Sequence, residues 1–517
     1  MASAAASPER KARSSRRSLD PRQRRGPLMS VSRNVTYNLI GSVLPVLLAL
    51  VTVPVYLHLV GSDRYGVLAI AWLLLGYFGL FDLGLGRATT YSIAALKDAD
   101  PQERADVFWT AIFTNIAMGV VGGLVLWAAA DFFFDQVFKV DPRLRPEILA
   151  SVPLLALAVP IATLNGVLTG ALMGRERFLE INTVSVLSTS LFQIFPIIVA
   201  FVWGPNLSQL LAAAVAARAI GIAALWWRCH VSITHGQRHR FVRAQARELL
   251  GYGGWVTITG LFGPILVILD RFAIGAVLGA TAVTIYTLPF QLAQRITMFP
   301  QAMVSALFPK LPTASVEERS ALGDKAVRVL LAAISLPILG MIYALHPFLD
   351  FWVGTEIGPQ SSDVGTLIVL GYWANAFAIV PYSWMQGAGR PDLVTKVLLA
   401  QIPPYLALLY FGMKEFGLIG CAAVFAFRCS VDFMMMWWAA RRNFRPVPLI
   451  ATVGAPLLAG VILSNWLSYR EPLWWLSGLV LAVVVALQCW RIAPPELIEK
   501  ARTLLQARFP RLARKAR

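Results

Sequence analysis

The chain has 517 residues, of which 57% are hydrophobic and only 14% are charged. Soluble domains are usually about a quarter charged, so this composition excludes an ordinary soluble enzyme. A bilayer-spanning helix needs roughly 20 apolar residues, and about 295 hydrophobic residues are enough for fourteen spans. The net charge of +18 does not indicate a nucleic-acid partner, because the basic residues lie in short loops and tails between apolar segments.

Apolar segments of spanning length recur from residue 35 to residue 490 with few interruptions. They predict an all-α, polytopic membrane protein with about fourteen transmembrane helices. The predicted spans are 35–57, 66–84, 107–130, 149–173, 179–203, 207–227, 251–274, 282–306, 327–346, 365–386, 393–412, 417–439, 449–469 and 473–490.

The distribution of lysine and arginine predicts the orientation of these spans. With the N-terminus inside, 36 of the 46 basic residues lie in inner segments, six lie in outer loops and four lie within spans. Both termini are therefore predicted to be cytoplasmic. The predicted division is a basic tail (1–33), an N-lobe (34–228), a basic cytoplasmic linker (229–250), a C-lobe (251–440), two further spans (441–490) and a second basic tail (491–517).

An internal repeat underlies the two lobes. The segment AAAVAARAIGIAALWWR (212–228) resembles AAVFAFRCSVDFMMMWW (422–438), with Arg218 aligned to Arg428. A weaker match aligns the loop glycine Gly61 with Gly279. Six helices return the chain to its starting side, so the lobes are predicted to be related by a pseudo-two-fold along the membrane normal, with a cavity between them.

Four arginines fall within the predicted spans. Arg218, Arg295 and Arg428 lie near mid-depth, and Arg271 lies near the outer end of span seven. An ionisable side chain at the bilayer centre costs about 2.5–3.5 kcal/mol on insertion scales, so these side chains must face protein or water. Guanidinium groups bind phosphate oxygens in a fork, and converging arginines predict a wet cavity for a phosphate or pyrophosphate anion.

The alternative is that these charges serve structure. Arg428 and Asp432 have the i, i+4 spacing of an intrahelical ion pair. Asp270 and Arg271 point about 100° apart on a helix, so we expect each to have a partner on another helix and easy access to water. Asp82, Asp270 and Asp432 are candidate sites for a coupling cation or proton. Asp82 is equally suited to capping the turn at 84–87.

Several kinds of site are absent from the sequence. It has no GxxxxGK[ST] motif, no HExxH motif and no clustered histidines, so no cofactor, metal site or nucleotide site is predicted. The four cysteines include no CxxC pair and are predicted to be small membrane-buried residues (Cys229, Cys421, Cys429 and Cys489).

The segments FDLGLGRATT (81–90) and LDRFAIGAVLGATAVTIYTLPFQLAQR (269–295), with the opening at 33–71, resemble a known family. They are similar to the polysaccharide repeat-unit flippases of the multidrug/oligosaccharidyl-lipid/polysaccharide exporter superfamily. The matching features are the segment DLGLG (82–86) at the end of span two, the adjacent Asp270 and Arg271 near the end of span seven, and Tyr286 at the start of span eight. The tyrosine after the Gly61 loop departs from the family pattern because it comes early, at Tyr65.

This resemblance implies a two-lobed bundle with a central cationic cavity and no enzymatic activity. It implies alternating access that moves an undecaprenyl-pyrophosphate-linked oligosaccharide between leaflets, for O-antigen, capsule or exopolysaccharide synthesis. The implied partners are this lipid-linked oligosaccharide, membrane lipids, H⁺ or Na⁺ as the coupling ion, a polysaccharide polymerase and glycosyltransferases. A peptidoglycan-precursor flippase, a multidrug or cation antiporter and a membrane polysaccharide polymerase remain alternatives.

Overall fold

The computed structural model describes residues 26–77, 82, 84–96, 99–307, 316–387, 390–440, 446–496 and 498–499. Most of both basic tails lies outside these residues. Within them the protein is all-α, as the sequence predicts, with fourteen α-helices and no strand. In the first half of the chain these are α1 (Gly26–Tyr77), α2 (Leu85–Ala95), α3 (Pro101–Phe132), α4 (Arg145–Gly174), α5 (Phe178–Trp203) and α6 (Leu207–Cys229).

The second half contributes eight helices. A 3₁₀ turn, Arg295–Thr297, separates α8 from α9 inside the predicted eighth span. The helices are α7 (Arg243–Val277), α8 (Ala280–Gln294), α9 (Met298–Leu307), α10 (Val316–Val353), α11 (Gly358–Gly387), α12 (Pro391–Ala439), α13 (Pro446–Trp466) and α14 (Pro472–Ile492).

Ten helices in the described part of the chain are long and apolar enough to cross a membrane. This number is smaller than fourteen partly because α1 and α12 each contain parts of two predicted spans, joined across a single non-helical glycine. Gly61 interrupts α1 with φ 79° and ψ 167°, and Gly417 interrupts α12 with φ 59° and ψ −137°. Glycine occupies these positions because a side chain strains such backbone conformations.

The glycine conformations follow the sequence repeat. Gly61 and Gly279, which the repeat aligns, have nearly the same backbone angles, with Gly279 at φ 89° and ψ −179°. Gly204, between α5 and α6, has φ 95° and precedes Arg218, much as Gly417 precedes Arg428. Glycines with positive φ therefore occur at similar places in the two halves of the chain.

Small residues bring α2 and α4 into close contact. A Cβ on Gly86 would lie 2.7 Å from the carbonyl oxygen of Gly166, and a Cβ on Gly170 would lie 2.2 Å from that of Gly86. Such approach is the usual role of GxxxG spacing in membrane helices. In the other half, α11 packs between α10 and α12, and α13 and α14 pack on the outside of α10.

Candidate functional site

Helices of the two halves meet at the end of the bundle that contains Gly61, the end predicted to face the outside. The hydroxyl of Thr284 on α8 donates to the carbonyl oxygen of Ser62 on α1 at 2.7 Å, and Thr281 donates to Asp63. A Cβ on Gly66 would lie 2.0 Å from the carbonyl oxygen of Ala280, so the two backbones touch. We call this set of residues the Gly61-end contact.

A second contact closes the same end beside α7. The backbone N–H of Lys139 donates to the carbonyl oxygen of Gly275 at 3.1 Å, and its ammonium donates to that of Val277 at 3.0 Å. The ring of Phe138 fills the space above Gly275, where a Cβ would lie 2.2 Å from the ring. The loop between α3 and α4 therefore holds the end of α7.

A cavity of about 250 Å³ lies between α1, α7 and α8. Trp72 comes eleven residues after Gly61, and Thr287 comes eight residues after Gly279. At 1.5 Å per residue these positions are about 12–17 Å along the helices from Gly61 and Gly279. The described residues that line the cavity are Ala69, Trp72, Leu73, Gly76, Arg271, Thr287, Phe290, Gln291 and Gln294.

Arg271 is the only one of the four predicted arginines among these described lining residues. The expectation that it does not pair with Asp270 is wrong, because its Nη1 lies 3.0 Å from Asp270 Oδ1. The long side chain folds back onto its own neighbour, which the angle between the two Cβ directions does not prevent. The expected water access is also wrong for Asp270, which is 0% exposed, while Arg271 is 2% exposed.

Aromatic rings fix this ion pair in place. The hydroxyl of Tyr286 donates to Asp270 Oδ2 at 3.0 Å, and Arg271 Cζ lies 3.8 Å from the ring centroid of Phe290. A guanidinium in this position is attracted by the negative face of the ring. The pair is therefore held from both sides while Arg271 still reaches the cavity.

Arg428 lies behind this aromatic layer. Its Cζ is 5.3 Å from the ring centroids of both Tyr405 and Phe425, and Phe425 in turn packs against Phe290. The intrahelical pair with Asp432 does not form, because no oxygen of Asp432 comes within ion-pair distance of Arg428 in the described chain. The guanidinium instead lies between these two rings, with its Nη2 3.5 Å from Cys429 Sγ.

Asp432 pairs with neutral amides. Gln401 Nε2 donates to one carboxylate oxygen at 2.8 Å, and Asn375 Nδ2 donates to the other at 3.3 Å. The Asp432 side chain is buried, at 5% exposure. A carboxylate from α12 is thus enclosed by amides from α11 and from the first half of α12.

The other two arginines occupy different surroundings. Arg218 Cζ lies 4.6 Å from the ring centroid of Phe192, whose ring packs against Trp72. Arg218 is therefore one aromatic layer behind the cavity. Arg295 begins the 3₁₀ turn between α8 and α9 and is exposed, with no ion-pair partner in the described part of the chain.

Asp82 caps the start of α2. Its carboxylate accepts the backbone N–H of Gly84 at 2.8 Å and that of Gly86 at 3.2 Å. The first N–H groups of a helix have no partner within the helix, and the Asp82 carboxylate satisfies that of Gly86 together with the N–H of Gly84, which immediately precedes α2. Of the two roles predicted for Asp82, this geometry matches capping of the turn at 84–87.

Four polar lining residues were not among the predicted site residues, namely Trp72, Thr287, Gln291 and Gln294. They carry no formal charge, whereas the sequence prediction rested on ionisable side chains. Two glutamines three residues apart within an apolar span were the available signal, since such spacing places both on one helix face.

Comparison with known proteins adds to this geometry. The family model described as "Polysaccharide biosynthesis protein" matches residues 31–315, which is more than half of the chain. The chain belongs to this family. The match begins near the start of α1 and ends just beyond α9, so it includes every described residue that lines the cavity.

This polysaccharide biosynthesis family member is also similar to the "Putative O-antigen transporter" of Shigella flexneri. The two are 28% identical over 416 residues, which are 80% of this chain and 98% of the relative. The similarity therefore extends over almost the whole length of the relative, including both lobes.

Two solved structures show the same fold. The first, an inward-facing multidrug resistance MATE family transporter of the MOP superfamily, is 16% identical, covers 80% of this chain and 99% of its own, and has a TM-score of 0.65. The second is the lipid II flippase MurJ in an inward closed conformation. It is 12% identical, covers 90% of this chain and 100% of its own, and has a TM-score of 0.66. The family member is thus a multi-pass membrane protein with a transporter fold.

Proposed function

We propose that this protein moves an undecaprenyl-pyrophosphate-linked oligosaccharide repeat unit from the inner to the outer leaflet of the bacterial inner membrane. The movement serves surface polysaccharide synthesis. The observation that carries this proposal is the similarity to an O-antigen transporter over 98% of that protein's length, in a chain whose lobes enclose a cavity with a guanidinium on its wall. The fold alone does not distinguish lipid-linked sugars from drugs, because both neighbouring structures have it.

Arg271 is the proposed ligand of the pyrophosphate. Its pairing with Asp270 and its packing on Phe290 orient the guanidinium before a ligand arrives. Guanidinium groups form charge-assisted hydrogen bonds to phosphate, and a preoriented group loses less entropy on binding. An organic cation would be repelled by the same group, which disfavours a cation antiporter.

The remaining arginines have secondary roles in this proposal. Arg218 and Arg428 contact Phe192 and Phe425, whose rings pack behind the lining residues of the cavity, so they add positive potential to it and support its aromatic lining. Arg295 is exposed at the helix break and is available to an anion that approaches the cavity. All four arginines therefore remain candidates for binding the substrate, and Arg271 is the one proposed to contact the pyrophosphate directly.

Alternating access requires that one end of the cavity be closed at a time. The Gly61-end contact closes the end predicted to face the outside. We infer that this conformation receives the substrate from the cytoplasmic side, with both termini on that side. Transport would break the contacts of Ser62 and Asp63 with α8 and open the cavity toward the outer leaflet.

Asp432 is the proposed site of ion coupling among the three candidate acids. Asp82 caps a helix and Asp270 is paired with Arg271, so both carboxylates already serve the fold. Among the described residues, Asp432 accepts hydrogen bonds from the neutral amides of Gln401 and Asn375. The guanidinium of Arg428 lies one helical turn away without forming an ion pair, so binding H⁺ or Na⁺ at Asp432 would change the electrostatic interaction between these two residues.

Cellular rescue tests the substrate class. A bacterium that lacks its O-antigen flippase accumulates lipid-linked units, and we expect this protein to restore surface polysaccharide there. Rescue of a strain that lacks its peptidoglycan-precursor flippase, or of drug resistance alone, would select an alternative transporter. Sugar-chain extension by the purified protein alone would indicate a polymerase and contradict the proposal.

A further inference from the structure

The cavity has a wall of uncharged polar side chains beside Arg271. We define the neutral polar wall as Trp72 from α1 with Thr287, Gln291 and Gln294 from α8. The three α8 residues are four and three positions apart, so they lie on one helix face. The wall thus joins the two lobes around one space.

Two polar atoms of this wall are buried without a hydrogen-bond partner in the described chain. They are the hydroxyl oxygen of Thr287, a residue 3% exposed, and the indole Nε1 of Trp72. Most buried polar groups in proteins are hydrogen-bonded, and leaving one unsatisfied is unfavourable. Unsatisfied atoms on two sides of one cavity therefore point to a polar ligand.

The chemistry of the wall identifies the class of ligand. A glutamine amide both donates and accepts, a threonine hydroxyl does the same, and an indole adds a flat apolar face with one donor. A sugar ring offers the complementary set of hydroxyl groups, or an acetamido group, around an apolar ring face. A second anion would find no further cation among the described lining residues, and a polyprenyl chain would leave every polar group unpaired.

We propose that the neutral polar wall binds the single sugar unit that lies next to the pyrophosphate. This inference rests on the proposed function, since Arg271 on the same cavity is the proposed pyrophosphate ligand. A cavity of about 250 Å³ accommodates one pyranose ring beside Arg271. The rest of the oligosaccharide extends beyond the wall.

Binding measured with and without the sugar tests this assignment. The probes are undecaprenyl pyrophosphate and the same lipid carrying one N-acetylated hexosamine or one hexose, titrated into the purified full-length protein. Wild type is expected to bind one sugar-bearing lipid more tightly than the sugar-free lipid. Thr287→Val and Gln294→Leu are each expected to weaken binding of that lipid about three- to tenfold and to change sugar-free binding less than twofold.

Controls separate the possible outcomes. Thr452→Val removes an exposed hydroxyl on α13 and should leave both affinities unchanged. Trp72→Phe keeps an aromatic ring but removes the N–H, so it tests the wall even if Thr287→Val folds poorly. The sugar assignment is overturned if the wall variants lose the same affinity for every lipid probe, or lose affinity for none of them. If wild type binds no lipid-linked probe at all, the proposed function itself fails.

Discussion

Thr284 on α8 donates its hydroxyl hydrogen to the carbonyl oxygen of Ser62, two hundred and twenty-two residues earlier in the chain, at 2.7 Å. This bond joins α8 to α1 immediately above the cavity. It leaves no room for a side chain at Gly66, which packs against the backbone of Ala280. The closed end of the transporter therefore depends on a glycine and a few short polar contacts.

Gly66→Ala is expected to keep the cavity open toward the outside. The added Cβ would lie 2.0 Å from the Ala280 carbonyl oxygen, which forces the lobes apart at this end. A Leu73→Cys reporter on the cavity wall, read with a membrane-impermeant maleimide from outside, should become reactive in this variant. The four native cysteines are buried and give a low background.

Gly340→Ala is the matched control for this experiment. It adds the same methyl group to α10 at a place where nothing lies within 4 Å. Neither maleimide reactivity nor transport should change in the control. Unaltered reactivity of Leu73→Cys in Gly66→Ala would show that the Gly61-end contact is not the closed gate.

The ion pair of Asp270 and Arg271 predicts a pattern across three variants. Asp270→Asn leaves a buried guanidinium without its counter-charge and should destabilise the protein by about 3–5 kcal/mol. Asp270→Asn combined with Arg271→Gln removes both charges and should recover most of the melting temperature. Transport should nevertheless fall at least tenfold in the double variant, because the proposed phosphate ligand is gone.

The measurements are thermal unfolding in detergent and transport in proteoliposomes. Arg271→Lys is a stricter control because it keeps the charge but lacks the planar fork that binds phosphate. It too should transport poorly. If the double variant transports at the wild-type rate, Arg271 serves only the fold.

Arg428 and Arg295 are expected to differ in what they affect. Arg428→Gln removes a desolvated guanidinium from between Tyr405 and Phe425, so the free energy of unfolding should fall by about 2 kcal/mol. Arg295→Gln changes an exposed side chain and should leave the melting temperature unchanged while lowering transport. The reverse pattern would exchange the roles given to these two residues.

Asp432→Asn is expected to uncouple transport from the ion gradient. The substitution keeps the shape of the side chain beside Gln401 and Asn375, so the fold should be retained. Transport in proteoliposomes should no longer respond to an imposed H⁺ or Na⁺ gradient. A response equal to that of wild type would remove Asp432 from the coupling site, and Asp82→Asn provides a comparison at the helix cap.

Apolar run lengths and basic residues predicted the helical, polytopic class well, because both are local properties of the chain. The cap formed by Asp82 was also foreseeable, since it involves residues two and four positions away. The interruptions within α1 and α12 were foreseeable too, since the predicted span boundaries at 58–65 and 413–416 fall at or beside Gly61 and Gly417, where polar residues interrupt the apolar runs.

Side-chain reach and long-range packing limited the prediction of the site. The pairing of Arg271 with Asp270 depends on how a long side chain folds back, which helix geometry alone does not fix. The packing of Arg218 on Phe192 joins two helices whose faces the sequence does not define. Trp72 and Thr287 line one cavity only because α1 and α8 pack together, so no pattern within either helix could place both residues on the same wall.

The most direct test of the proposed function is transfer of a fluorescent undecaprenyl-pyrophosphate-linked oligosaccharide across proteoliposome membranes, followed by its accessibility to an impermeant sugar-binding protein. The proposal predicts time-dependent transfer that requires the purified protein and is lost in Asp270→Asn/Arg271→Gln. Transfer no faster than in protein-free vesicles, together with export of an organic cation by the same preparation, would contradict it.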